Sequence, residues 1–253
     1  MQNYQGKHVW IIGASSGIGH ALAKELSARG AILSLSARSQ EKLEHLNQSL
    51  GGVHHVHAFD VTDVNKFEET SHTIQKHTGR LDSVVFLAAL YDPMACDKFD
   101  LKKVRQIVDV NLMGVFHLVH AVLPLVQMQK RGQIAICGSV AGFVGLPNGQ
   151  PYSATKAAVI NLVESLKAEN PELDIKLINP GFVRTGLTDK NEFDMPMMIE
   201  PEQAAREIVN GLLKSSFEIH FPKRFTVLVK LLRLLPYSLY LKLASKISQK
   251  DNE

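Results

Sequence analysis

Tyr152 and Lys156 stand four residues apart, and Ser139 precedes the tyrosine by thirteen. On a helix, a four-residue spacing puts the phenol and the ammonium on one face. A phenol ordinarily ionises near pH ~10, too high for a base in neutral water. A neighbouring ammonium favours the phenolate, so Lys156 is expected to draw the Tyr152 pKa down. The Ser139 hydroxyl is placed to hold and polarise a carbonyl or alcohol oxygen beside the phenol. Three such groups suit a proton transfer coupled to a hydride transfer. A core tyrosine next to a solvated lysine has the same spacing, so the pair needs support from the rest of the sequence.

That support begins at the N-terminus. A β-branched run, Lys7-His-Val-Trp-Ile-Ile12, meets Gly13-Ala-Ser-Ser-Gly17-Ile-Gly19 and then a helical pattern. Strand, glycine turn and helix in that order are what a dinucleotide site requires. The glycines allow a tight turn and close approach of a pyrophosphate, and the helix N-terminus offers unpaired N–H groups. Gly13, Ser15, Ser16, Gly17, Ile18 and Gly19 are therefore candidate cofactor contacts. Further strands are predicted near 31–36, 54–58, 82–88, 132–138, 174–179 and 217–221. Helices are predicted near 17–29, 39–49, 64–77, 100–129, 152–169 and 201–214. Short apolar strands alternating with helices imply an α/β fold: a Rossmann-type, doubly wound, mostly parallel seven-stranded sheet with helices on both faces. Its ligands bind beyond the carboxyl ends of the strands, where the glycine turn and Ser139 fall.

Taken together, the motifs resemble the short-chain dehydrogenase/reductase family from about Gly6 to about Leu213. The likeness rests on the glycine turn, Asp60-Val61 after the third strand, Asn111 in Val110-Asn-Leu-Met-Gly-Val-Phe, Ser139, Tyr152 with Lys156, and Asn179-Pro-Gly-Phe-Val-Arg-Thr185. The resemblance implies catalytic roles for Ser139, Tyr152, Lys156 and Asn111. It also implies that Lys156 binds the nicotinamide ribose and that Asn111 holds a water leading to solvent. Cofactor contacts carried over from the family are Asp60 and Val61 at the adenine, and Pro180, Gly181, Val183 and Thr185 near the carboxamide, together with Tyr152 and Lys156. Two positions depart from the family pattern: Ile12 replaces the usual Thr, and Phe86-Leu-Ala-Ala89 replaces Asn-Asn-Ala-Gly. The second change is expected to alter stability more than chemistry.

The end of the second strand bears on the cofactor. Leu33-Ser-Leu-Ser-Ala-Arg38-Ser39 lacks the acid that usually binds the ribose hydroxyls of NAD. Arg38 is suited to a 2′-phosphate. NADP(H) is expected over NAD(H). The expected activity is an NADP(H)-dependent oxidoreductase interconverting a ketone or aldehyde and an alcohol, on a fairly apolar substrate. A non-catalytic NADP-binding sensor, or a membrane-associated scaffold on the same fold, is the alternative. The complete set of Ser139, Tyr152, Lys156 and Asn111 argues against it. Phe143, Leu146, Leu187 and Met195 are candidates for lining an apolar pocket, or equally for plain core packing. By resemblance, the segment after Thr185 is a substrate lid.

Residues 1–221 are expected to form one catalytic domain, and 222–253 a basic amphipathic extension. Of the net +3, the seven basic residues of 222–250 and the two acids of 251–253 leave the first 221 residues at −2. Pro236 divides the extension into two helix candidates. Three readings of it compete: cover for the substrate entrance or a neighbouring subunit, a helix lying on an anionic membrane, or a plain surface helix pair. Two cysteines, Cys96 and Cys137, suggest no disulfide framework and point to a reducing, cytoplasmic setting. No signal-peptide core opens the sequence, and no apolar stretch is expected to reach the roughly twenty residues of a membrane span. His54-His55-Val-His57 has no Cys or carboxylate at ligand spacing, so no metal site is expected. Basic charge confined to the tail, without a reading motif, argues against nucleic acid. The long apolar helices 100–129 and 152–169 suggest a homodimer or homotetramer, as the resemblance also implies.

Overall fold

The computed structural model describes residues 3–191 and 195–250, and the side chains of all of these except 246–250. Strand β1 (His8–Ile12) is buried at every position. Its side chains alternate: Trp10 and Ile12 enter one core cluster, Val9 and Ile11 the other. That two-sided burial is why the run reads as continuously apolar. It joins β2 (Ile32–Ala37), β3 (His55–Ala58), β4 (Ser83–Phe86), β5 (Gln133–Cys137), β6 (Asp174–Pro180) and β7 (Glu218–Phe221) in one seven-stranded sheet. The order is β3-β2-β1-β4-β5-β6-β7 and every pairing is parallel. The order reverses between β1 and β4, and a ligand crevice forms at such a reversal.

Helices α1 (Gly17–Ala28) and α2 (Gln40–Ser49) cover one face, α3 (Val64–Thr78) the other. Residues 100–129, expected as one helix, divide into α4 (Leu101–Val108), a π-helical turn at Asp109–Met113, and α5 (Gly114–Gln129). By length and composition, the run Leu101–Gln129 is apolar enough to cross a membrane. However, Val115, Leu118, Val122 and Val126 pack into the core with α3 and the sheet. Then come α6 (Tyr152–Glu169) on that same face and α7 (Pro201–Leu212) beside α1. After β7 the chain continues as α8 (Lys223–Leu232) and α9 (Tyr237–Lys250), separated around Pro236.

Strand β4 ends at Phe86 rather than at residue 88. Leu87 N–H still bonds to Ile12 O at 2.8 Å, and the chain then turns away past Gly13. The histidines of the β3 region serve packing. His55 stacks between His8 and His77, with centroids 5.8 and 6.0 Å away. His8 and His57 both share hydrogen bonds with Ser34 Oγ, and His54 Nε2 bonds with Ser27 Oγ at 2.9 Å.

Candidate active site

The carboxyl ends of the strands surround a cleft of about 640 Å³. Its floor is the turn between β1 and α1. Gly13 has φ +96°, and a Cβ there would lie 2.6 Å from Ala88 N. A Cβ at Gly19 would lie 2.1 Å from Gly13 O. Only glycine fits at either place. Helix α1 opens behind Ser16, whose side chain makes no capping bond, so its first-turn N–H groups have no side-chain partner. A bare helix N-terminus over a glycine cradle fits the pyrophosphate of a dinucleotide.

All the sequence-predicted cofactor residues line this cleft: Gly13, Ser15, Ser16, Gly17, Ile18, Gly19, Arg38, Asp60, Val61, Tyr152, Lys156, Pro180, Gly181, Val183 and Thr185. Asp60 is held by Thr62, whose N–H and hydroxyl both donate to Oδ1, at 3.0 and 2.8 Å. The Pro180-Gly181 turn closes against the glycine turn, where Thr185 Cγ2 would be 3.0 Å from a Cβ on Gly17. Lys42 was not anticipated. It sits in the first turn of α2, four residues after Arg38, and lines the same cleft end. Arg38 precedes the helix, so no helical spacing links the two, and the turn into α2 brings Lys42 to the cleft.

Ser139 follows β5, and Tyr152 and Lys156 open α6. The Tyr152 and Ser139 side chains line the same cleft, and Ser139 Oγ accepts from Ala141 N–H at 3.1 Å. Lys156 is almost fully buried, and its Nζ donates to Cys137 O at 2.7 Å. An ammonium has three donors, so two are left for the cleft that Lys156 lines. The Lys156 Nζ is 5.6 Å from the Tyr152 ring centroid. Here the expected pKa effect reverses. Burial pushes the Tyr152 phenol above its ordinary range, with a smaller opposing contribution from the Ser139 hydroxyl. Burial also lowers the Lys156 ammonium. Desolvation, and not the neighbouring Lys156 ammonium, sets the direction of the Tyr152 shift.

Asn111 is fully buried on the π-helical turn and does not line the cleft. Its Oδ1 accepts from Leu90 N–H at 2.7 Å, while Nδ2 donates to Leu90 O at 2.9 Å and to Thr155 Oγ1 at 3.3 Å. It thus clamps the loop after β4 to the first turn of α6. The clamp grips the chain immediately after Phe86-Leu-Ala-Ala89, where the Asn pair is missing.

A second cavity of about 440 Å³ shares Ser139, Tyr152, Gly181, Leu187 and Thr188 with the cleft. Leu146 and Leu187 line it as expected, together with Phe182. Phe143 is instead core, and Met195 accepts a hydrogen bond from Asn191 Nδ2 at 3.2 Å without lining the cavity. Residues 192–194 of the expected lid lie outside the described residues. One contribution escaped the sequence reading. Tyr91 stands edge-on to Tyr152, with centroids 4.9 Å apart, and its hydroxyl donates to Asn191 Oδ1 at 2.5 Å. Phe225 and Val229 of α8 form a wall of the cavity, so the C-terminal extension reaches the site.

A parallel sheet with a glycine cradle at its switch point, opening onto a Ser–Tyr–Lys group, defines a nicotinamide-dependent oxidoreductase. The family model described as short chain dehydrogenase matches residues 7–195. The chain belongs to that family. One relative, the 11-beta-hydroxysteroid dehydrogenase-like 4A of Arabidopsis thaliana, is 30% identical over 254 residues, covering 93% of this chain and 83% of the relative. An alcohol dehydrogenase from the archaeon Thermococcus sibiricus, solved with 5-hydroxy-NADP, superposes with a TM-score of 0.78 at 28% identity, over 86% of this chain and 96% of that one. A short-chain dehydrogenase/reductase from Burkholderia phymatum, solved with NAD, shares the fold with a TM-score of 0.82 at 22% identity, over 91% and 94% of the two chains.

Proposed function

We propose that this protein is an NADP(H)-dependent reductase of an apolar ketone or aldehyde, running in reverse as an alcohol dehydrogenase. The observation that carries the reading is the position of Tyr152 and Ser139 at the junction of the two cavities. One cavity carries the glycine cradle and the other has a largely aliphatic and aromatic wall.

The nicotinamide, when bound, supplies or accepts the hydride. Gly13 to Gly19 hold the pyrophosphate, and Asp60 and Val61 flank the adenine. Lys156 directs its two spare donors to the ribose hydroxyls. Pro180, Gly181, Val183 and Thr185 enclose the carboxamide end. Ser139 donates to the substrate oxygen and steadies the negative charge that develops there. Tyr152 gives its proton to that oxygen as the alcohol forms, and recovers it when an alcohol is oxidised. A phenol kept protonated by burial is in the form reduction needs. Asn111 acts as a positioning residue, fixing the start of α6 on which Tyr152 and Lys156 ride.

Arg38 with Lys42 supports NADP(H) over NAD(H): two cations and no acid stand at the end of β2 and the start of α2 that line the cleft. The cofactors of the two solved neighbours differ, so the preference rests on this pair. The hydroxysteroid dehydrogenase-like relative agrees with a bulky apolar carbonyl. Exposed Leu101, Met113, Phe116 and Met128 along α4 and α5 support a homo-oligomer. The unpaired Cys96 and Cys137 support a cytoplasmic setting.

The test is cofactor oxidation against ketones and aldehydes graded from small and polar to long and apolar. The expected result is NADPH-preferring turnover whose kcat/KM rises with apolar size. Cofactor binding with no turnover on any substrate would favour the sensor reading instead.

A further inference from the structure

We propose that the helix pair α8–α9 docks this protein onto an anionic lipid surface. The inference stands on the outer face of the pair and does not depend on the catalytic reading. The inner face is already used. Phe225, Thr226 and Val229 of α8 are buried, Lys230 ion-pairs with Glu218, and Tyr240 of α9 donates its hydroxyl to Gly145 O. The outer face is apolar and uncovered. Sixteen large hydrophobic side chains are exposed among the described residues, and eight of them fall within 227–243. Val227, Leu228, Leu231 and Leu234 lead along α8 into the turn, and on α9 the exposed Leu239, Leu241 and Leu243 flank the buried Tyr240 and Ala244. Scattered exposed aliphatics are ordinary, but half of the total on one helix pair marks an interaction surface.

Charge selects the occupant. Between Glu218 and Asp251 the sequence has no acidic residue. Lys223, Arg224, Arg233 and Lys242 are exposed, and none forms an ion pair among the described residues. A second copy seated face to face on this surface would set these cations against their own counterparts, with no acid on the pair to offset them. An anionic leaflet offers both the apolar depth and the opposite charge, as for other basic amphipathic helices at membrane interfaces. Phe225 and Val229 on the inner side of α8 line the apolar cavity, so one helix separates that cavity from the docked surface.

The experiment is co-sedimentation of the full-length protein with vesicles of phosphatidylcholine alone or with about a third phosphatidylserine, the range in which each basic side chain adds roughly fivefold to affinity. Wild type should bind the phosphatidylserine vesicles and release them as salt is raised. Arg224→Gln with Arg233→Gln should weaken binding roughly thirtyfold, following the same per-residue contribution. Leu228→Ser with Leu231→Ser should abolish it, with an unchanged melting temperature showing that the variant remains folded. Sedimentation equilibrium should give the same mass for wild type and both variants. Absence of binding, or equal binding to the two vesicle types, would overturn the proposal. A mass that falls in the leucine variant without vesicle binding would overturn it too, and assign the face to a second copy.

Discussion

At the scale of single residues, the proposed cofactor preference rests on the end of β2. Arg38 and Lys42 line one end of the cleft, and no acid from β2 or α2 lines it with them. A hydrogen bond to a charged group contributes about 1.5–3 kcal/mol, so Arg38→Ala is expected to weaken NADPH binding about tenfold to a hundredfold. Lys42→Ala should act in the same direction with a smaller effect, since a lysine lacks the bidentate fork. Neither change should move NADH affinity, and fluorescence titration with both cofactors reads the difference. Unchanged NADPH affinity in Arg38→Ala would remove the basis for the preference. Arg38 was legible in the sequence because a missing acid and a present arginine share one position. Lys42 was less so, because a lysine in the first turn of a helix is common and only the bend of the chain brings it to the cleft. The Tyr152 pKa was misread for a related reason. Charge proximity is visible in a spacing, whereas desolvation depends on what the fold packs around the group.

At the scale of elements, the π-helical turn at Asp109–Met113 is what brings Asn111 to both backbone groups of Leu90 and to Thr155. Removing that amide leaves buried polar groups without partners, each costing about 1–3 kcal/mol. Asn111→Ala is therefore expected to lower stability by about 2–4 kcal/mol in urea unfolding. It should also lower kcat more than it raises the KM for NADPH, because it disturbs the start of α6 and not the glycine turn. A midpoint unchanged from wild type would show that the clamp carries no energy. The sequence showed a single long apolar helix here, since periodicity does not distinguish a π-bulge from regular helix. It also showed a tail split at Pro236 and offered the substrate entrance as one of three places for it, and the first half lands there through Phe225 and Val229. Phe225→Ala should enlarge the apolar cavity and cost about 3–5 kcal/mol, the usual range for truncating a buried phenylalanine. Its KM should rise most for the largest apolar substrates, a trend that steady-state kinetics would show directly.

For the whole molecule, the doubly wound parallel sheet was readable because βαβ alternation leaves few topologies, and the strand order then brings the ends of β1, β4, β5 and β6 to one crevice. The same sheet carries an acid sensitivity away from the site. Burial, with the charge of His55 as the next cause, lowers His8 and His57 to about 4. Both folded-state values lie below the ordinary 6.5, so the unfolded chain binds protons first as pH falls. Their contribution is thus complete above pH 6.5 and is lost progressively between 6.5 and 4. For the almost fully buried His8 the loss is at most about 3 kcal/mol, with less at the half-buried His57. His8→Gln should flatten the fall in urea midpoint between pH 6.5 and 4, and an unchanged pH profile would exclude His8 as its source. The central claim concerns the junction where the two cavities meet at one phenol. The most direct test is Tyr152→Phe, assayed for turnover and NADPH binding together. A general acid contributes about 10²–10⁴-fold, so kcat should fall by that factor while NADPH affinity stays at the wild-type value. Turnover equal to wild type would contradict the account.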